Sequence, residues 1–268
     1  TNMSNELPAG MREWVALVGG GTITRLDRAV ARREAYFTEV TRPDGSVLKG
    51  FLRLDRNADP AAPSALKKEI GIVQALNGSN VPVSKVHGVN EALSCVLFDH
   101  IPGRADLQNM ERPQQHAVMR DFMDVIARMH TLELSRLSLP PMKMPANAYE
   151  CALDEMDITL AHMAGFVASY RDPLMSYGID WLRRFAPKHV ERISLLQGDT
   201  GPVNFMFDGD HVTALFDFEL GHLGDPMEDL GNICVREFWN PSGGLDGLMQ
   251  LYEEKSGIKV DLDAVRYY

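Results

Sequence analysis

Apolar and polar residues alternate along residues 22–28 (TITRLDR), 33–40 (REAYFTEV) and 47–55 (VLKGFLRLD). A period of two predicts three half-buried β-strands. The last two are joined by a turn at Pro43-Asp44-Gly45. Before them, residues 11–18 (MREWVALV) read as a short leading helix. After them the period lengthens: Leu66, Ile70, Val73 and Leu76 fall on one face of a helix over residues 64–76, with Ser64 at its N-cap. Two short strands are expected around 84–89 and 94–99. The pattern then breaks at Pro102-Gly103. From there the chain turns helical. Met119, Phe122, Val125, Ile126 and Met129 line one side of residues 114–132. Further helices are expected over 148–170, 178–187 and from 226 onward. One hairpin interrupts them, with an Asp208-Gly209 turn. The class is α+β, in two lobes. A small antiparallel lobe with one main helix spans 1–99. A larger, mostly helical lobe carrying the hairpin spans 100–268. The final residues, DLDAVRYY, read as the start of another helix, so the natural chain is expected to continue beyond Tyr268.

Composition narrows the field. Hydrophobic residues make up 45% of the 268, enough for a packed core. No apolar run approaches the ~18 residues of a membrane span, and the first residues lack the basic-then-apolar order of a secretory leader. Residues 1–102 carry 12 Lys+Arg against 11 Asp+Glu, whereas residues 103–268 carry 15 against 26. An acidic second lobe disfavours nucleic acid, whose phosphates need basic patches, and suits a metal ion or a cationic ligand. Cys95, Cys151 and Cys234 are widely spaced and odd in number. They fit a reducing cytoplasm and neither a disulfide framework nor a zinc site.

The chemistry gathers in residues 195–207, LLQGDTGPVNFMF. Two apolar runs flank a stretch that no strand favours. Asp199 is read as ending one strand, Asn204 as starting the next and Asp217 as ending the strand after that. A hairpin would bring Asn204 and Asp217 close enough to share a cation such as Mg²⁺, which takes oxygen ligands. Asp199 would stand beside it, free to orient a hydroxyl or accept its proton.

The full stretch, QGDTGPVNFMFDGDHVTALFDFELGHLGDPMEDLG, resembles the aminoglycoside phosphotransferase and choline kinase-like family of small-molecule kinases, which have a protein-kinase-like fold. The resemblance rests on Asp199, Asn204, Asp217, Glu219, Gly224-Asp225-Pro226 and Asp229-Leu230. It implies ATP and Mg²⁺ as cofactors, Asp199 as the catalytic residue, and Asn204 and Asp217 as the metal ligands. Asp225 and Asp229 could bracket the active site, or Asp229 could cap and orient the following helix; structural roles are the favoured expectation for both. In the small lobe the resemblance implies a strand cation on the nucleotide phosphates, paired with a helix glutamate. Arg53 is the first choice, Lys49 the second, and Glu69 the partner. An arginine here is similar to what acyl-CoA-dehydrogenase-associated kinase domains carry. Backbone groups around Phe98, Asp99 and His100 would hydrogen-bond adenine.

Three departures accompany the resemblance. Gln197 stands where the family has His, the 25–36 connection has no glycine, and Gly19–Thr22 lacks the G-K-[ST] of a P-loop. His100 and His222 are isolated, and lone histidines are more often structural. Six residues separate Asp217 from Gly224, too few for a segment that docks peptides. The expected partner is therefore a small hydroxyl acceptor: an aminosugar or choline-like cation held by Glu150, Asp154, Glu155 and Asp157, or a hydroxy acid helped by Arg183 or Arg184. The rival reading is a catalytically weak nucleotide-binding module.

Overall fold

The computed structural model describes residues 7–29, 34–55, 65–163 and 172–268. Ser64 and the connection at 30–33 lie outside these, as does the stretch from 164 to 171. Strands β1 (Thr22–Arg28), β2 (Ala35–Thr41), β3 (Val47–Leu54), β4 (Val86–Asn90) and β5 (Cys95–Asp99) form one antiparallel sheet in the order β1-β2-β3-β5-β4. Alternation in β3 sorts its side chains by face. Leu48, Leu52 and Leu54 are buried beside Met11 and Val15 of helix α1 (Met11–Gly19). Lys49, Phe51 and Arg53 therefore point the other way. Register sets Phe51 opposite Phe98 and Arg53 opposite Val96, so these residues share the face covered by helix α2 (Ala65–Leu76).

Helix α3 (Arg112–His130) is the axis of the second half. Its residues Met119, Phe122, Met123, Val125, Ile126 and Met129 are completely buried. Helix α4 (Ala148–His162) starts at Asn147, whose side chain accepts the Glu150 amide. Helix α5 (Pro173–Phe185) begins five residues before the expected 178, because Asp172 caps it and Pro173 opens it. Strands β7 (Phe205–Asp208) and β8 (His211–Leu215) form the expected hairpin. Strand β6 (Ser194–Leu196) does not join it, and pairs instead with β9 (His222–Gly224). Asp199 and Asp217 thus lie in loops beyond strand ends. Helices α6 (Pro226–Arg236), α7 (Leu248–Ser256) and α8 (Leu262–Tyr267) close the chain. No helix among the described residues is long and apolar enough to cross a membrane.

Two backbone contacts tie the hairpin to the segments just before β4 and beyond β5. Arg104 and Phe207 exchange both hydrogen bonds, at 2.9 and 2.8 Å, and Leu215 N–H donates to Pro82 O at 2.8 Å. Behind the hairpin, Phe205 stacks on Phe122 with ring centroids 4.3 Å apart. Phe205 directly follows Asn204, so this contact seats the loop from below. Phe122→Ala is expected to cost about 3–5 kcal/mol of unfolding free energy, read from the urea midpoint. A loss under about 1 kcal/mol would contradict this placement of the core.

Candidate active site

Beyond Leu196 the chain turns under tight constraint. Gly198 has φ +79°, and a Cβ there would lie 2.4 Å from Leu220 O, so only glycine fits. The amides of Gln197 and Gly198 both donate to Asp229, one to each carboxylate oxygen, at 2.9 Å. Asp229 is completely buried. His130 also borders it, with Nε2 3.1 Å from Oδ2 and Nδ1 2.8 Å from the Tyr252 hydroxyl. Burial alone would raise the Asp229 carboxyl. Hydrogen bonding and charge from His130 lead the opposing effects and hold it below the usual range. Asp229 does not cap its helix. That role falls to Asp225, which accepts the Met227 amide at 3.0 Å and is pushed up to about 6 by burial.

The loop then runs through Asp199 to Asn204. Val203 sits at φ +72°, a position a β-branched residue adopts only under strain, and its amide is tied to Ala105 O at 2.9 Å. Asn204 is buried, and its Nδ2 donates to Asp199 O at 2.7 Å and to Asp199 Oδ2 at 2.8 Å. That leaves Asn204 Oδ1 as the acceptor. Gln197 serves as a brace. Its Nε2 donates to Asn204 O at 2.9 Å and to Phe216 O at 2.7 Å, joining the loop to the residue before Asp217. An amide therefore makes both ties at a position where the resembling family has an imidazole. Asp217 itself is in the left-handed region at φ +60°.

On β3, Arg53 Nη1 contacts Glu69 Oε1 at 2.6 Å, and Nη2 lies 3.6 Å from Asp217 Oδ1 and 3.9 Å from Glu219 Oε2. One guanidinium thus faces three carboxylates. Burial pushes the Glu69 carboxyl up to about 7, with Arg53 pulling against it and Asp217 and Glu219 adding to it. The hard oxygens of Asn204 and Asp217 fit a magnesium ion. Among the described residues no cluster of three or more His, Cys, Asp or Glu could hold a metal alone. An ion here would take further ligands from water or phosphate, as Mg²⁺ prefers.

Arg53 and Glu69 line one end of a cavity of about 430 Å³, and Asp99, His100 and Ile101 line the other. Phe37, Phe51 and Phe98 make its walls apolar, with Phe37 packed on both Phe51 (5.4 Å) and His100 (5.3 Å). The amides of Asp99 and His100 are already engaged, donating to Lys85 O at 2.8 Å and Lys49 O at 3.0 Å. Ile101 N–H has no acceptor among the described residues. The Lys49 side chain is exposed and does not line this cavity.

The other sequence candidates stand apart. His222 lies 3.1 Å from Glu228, and although burial would lower it, this partner pushes it up to about 9. Glu150 and Asp154 pair with Lys143, and Asp157 pairs with Arg183. Phe37, His130 and Arg236 escaped the sequence reading. Phe37 was detectable in principle, since register sets it opposite Phe51.

A family model described as the phosphotransferase enzyme family matches residues 24–268. Mouse acyl-CoA dehydrogenase family member 10 is 27% identical over 182 residues, 64% of this chain and 17% of that protein. Human acyl-CoA dehydrogenase family member 11 is 24% identical over 229 residues, 81% of this chain and 27% of that protein. The chain thus spans a small part of these relatives' length. Among solved structures, a Ralstonia eutropha protein assigned as an aminoglycoside phosphotransferase superposes with a TM-score of 0.74 at 21% identity, covering 96% of this chain and 84% of its own. A macrolide 2'-phosphotransferase from Brachybacterium faecium gives 0.67 at 18% identity, with 97% and 86% covered. An aminoglycoside phosphotransferase in ternary complex with ADP and hygromycin B gives 0.63 at 14%, with 93% and 83% covered. At these identities the likeness to the solved structures establishes the fold.

The Glu69 environment has a consequence for stability. Its carboxyl is raised from an ordinary 4.5 to about 7, so between these values the native protein holds a proton that the unfolded chain has released. This group's contribution to stability therefore falls as pH rises through that window. In metal-free protein, the wild-type unfolding free energy minus that of Glu69→Gln should decline from pH 4.5 to 7. A difference that rises with pH would contradict the assignment.

Proposed function

The chain belongs to the phosphotransferase enzyme family, and from that membership we propose that it transfers the γ-phosphoryl group of ATP, with Mg²⁺, to a hydroxyl of a small molecule. The observation that carries this reading is the convergence at the end of the apolar cavity. Arg53 reaches both Glu69 and Asp217 there, while the amide of Gln197 ties the Asp217 loop to the Asn204 loop. The solved relative holding ADP and hygromycin B supports a nucleotide and a hydroxylated acceptor as the two ligands.

Each residue has a task in this reading. Phe37, Phe51 and Phe98 enclose the adenine ring, and Ile101 N–H supplies the donor that Asp99 and His100 have already committed. Arg53 holds the α/β-phosphates, with Glu69 fixing its fork. Asn204 Oδ1 and Asp217 would hold the magnesium ion, which when bound offsets charge on the phosphate oxygens. Asp199 is half exposed and orients the acceptor hydroxyl, taking its proton as the oxygen attacks. Positioning and electrostatics do most of the work in such a transfer. The six residues between Asp217 and Gly224 are used up by a single helical turn (Phe218–Leu220) and the start of β9. This leaves no chain to dock a peptide and favours a small acceptor.

ADP release should be followed with Mg·ATP and a panel of aminoglycosides, choline-like alcohols and hydroxy acids. We expect turnover with one acceptor class, and a loss of about 10²–10⁴-fold in kcat for Asp199→Asn with ADP affinity kept. Nucleotide binding without turnover on any acceptor would replace this reading with the catalytically weak binding module.

A further inference from the structure

Helix α6 presents three polar residues to the catalytic loop, at positions i, i+3 and i+7. Asp229 accepts the amides of Gln197 and Gly198. Asn232 Nδ2 donates to Gly198 O at 3.3 Å. Arg236, the last residue of the helix, ion-pairs with Asp199 Oδ1 and donates to Asp199 O at 3.3 Å and to Pro202 O at 3.0 Å. This spacing is one face of an α-helix. The loop backbone is thus read in order along one rigid rod, amides first and carbonyls last.

We propose that Arg236 is a positioning residue for phosphoryl transfer, holding the Asp199 carboxylate and the crown of its loop in the reactive orientation; this rests on the phosphotransferase reading above. Four observations support it. First, both oxygens of the Asp199 carboxylate are engaged, Oδ1 by Arg236 and Oδ2 by Asn204, so its plane is fixed by two donors from different elements. Second, the loop has made room for the arginine. Gly201 sits at φ +135°, and a Cβ there would lie 2.6 Å from Arg236 Cδ. Third, the arginine side chain is mostly buried while the carboxylate is 42% exposed. The clamp comes from inside, and the face toward an acceptor stays open. Fourth, its Nε–H is buried without an acceptor among the described residues, which disfavours a purely stabilising role, since an unmade buried hydrogen bond is a cost.

A planar fork can meet two carbonyls and a carboxylate together, whereas a lysine ammonium is a single point on a flexible stem. Arg236→Lys should therefore fall between wild type and Arg236→Met. Three measurements apply to the whole chain: hydrogen exchange of the Val203 and Asn204 amides, calorimetric affinity for Mg·ADP, and Mg·ATP hydrolysis with water as acceptor. In Arg236→Met we expect exchange at these amides to quicken at least about tenfold. ADP affinity should stay within about threefold, and kcat should fall at least about tenfold without a matching change in KM. If Arg236→Met does not fold, Arg236→Lys decides, with smaller changes in the same directions. Unchanged loop exchange overturns the proposal, and so does unchanged kcat in an enzyme whose wild type turns over. A wild type that binds Mg·ADP but turns over ATP with neither water nor any hydroxyl acceptor counts against the phosphotransferase reading, while the exchange experiment still decides the clamp.

Discussion

A single buried carboxylate holds the site together. Asp229 lies fully inside the protein, where an unpaired charge would cost several kcal/mol. It is tolerated because two loop amides and His130 surround it. Those amides belong to Gln197 and Gly198, the residues that lead into Asp199. The need to satisfy one buried charge thereby fixes where the reactive loop leaves β6. His130 comes from α3, whose inner face is completely buried, and is steadied in turn by Tyr252 from α7. The loop is thus referred to the core, and its strained Val203 is over-determined by its surroundings.

From that anchor the rest is assembled by cross-ties. Gln197 joins the loop to Phe216, and so sets Asn204 beside the turn that carries Asp217. Across the cleft, β3 alternation sends Leu52 and Leu54 to the α1 side, which leaves Arg53 facing α2 and the hairpin. The result brings a sheet residue, a helix residue and two turn residues together around one guanidinium. A pocket with charged side chains at its polar end and aromatic walls elsewhere suits a ligand with a flat apolar part and a metal-bound anionic part.

Much of this was legible in the sequence, and the reason is local. Strands β1 to β3 carry a clear period of two, α3 a clear helical stripe, and the β7–β8 turn an Asp-Gly pair. Asp199, Asn204 and Asp217 are separated by fixed short spacings, so their grouping needed only a loop and a hairpin. What was missed depends on distant pairing. Strands β6 and β9 are three residues each, too short to show a period, so β6 was read as part of the hairpin. Asp229 was expected to cap its helix, because the loop amides it binds lie about 30 residues away in sequence. His130 and Arg236 lie near helix ends, where a polar or basic residue is ordinary, so no local pattern marks them. Nothing in the hinge sequence marks the Asp99 and His100 amides as already spent on Lys85 and Lys49.

On the proposed reading, the cavity between β3 and the hairpin binds a nucleotide through a magnesium ion held at Asn204 and Asp217. Titration calorimetry with ADP, in the presence of Mg²⁺ and again in EDTA, tests it most directly, with Asp217→Asn as the comparison. Binding should be at least about tenfold tighter with Mg²⁺ in the wild type, and Asp217→Asn should lose that difference while keeping metal-free binding. Equal affinity with and without Mg²⁺, or a metal effect that survives in Asp217→Asn, would contradict it.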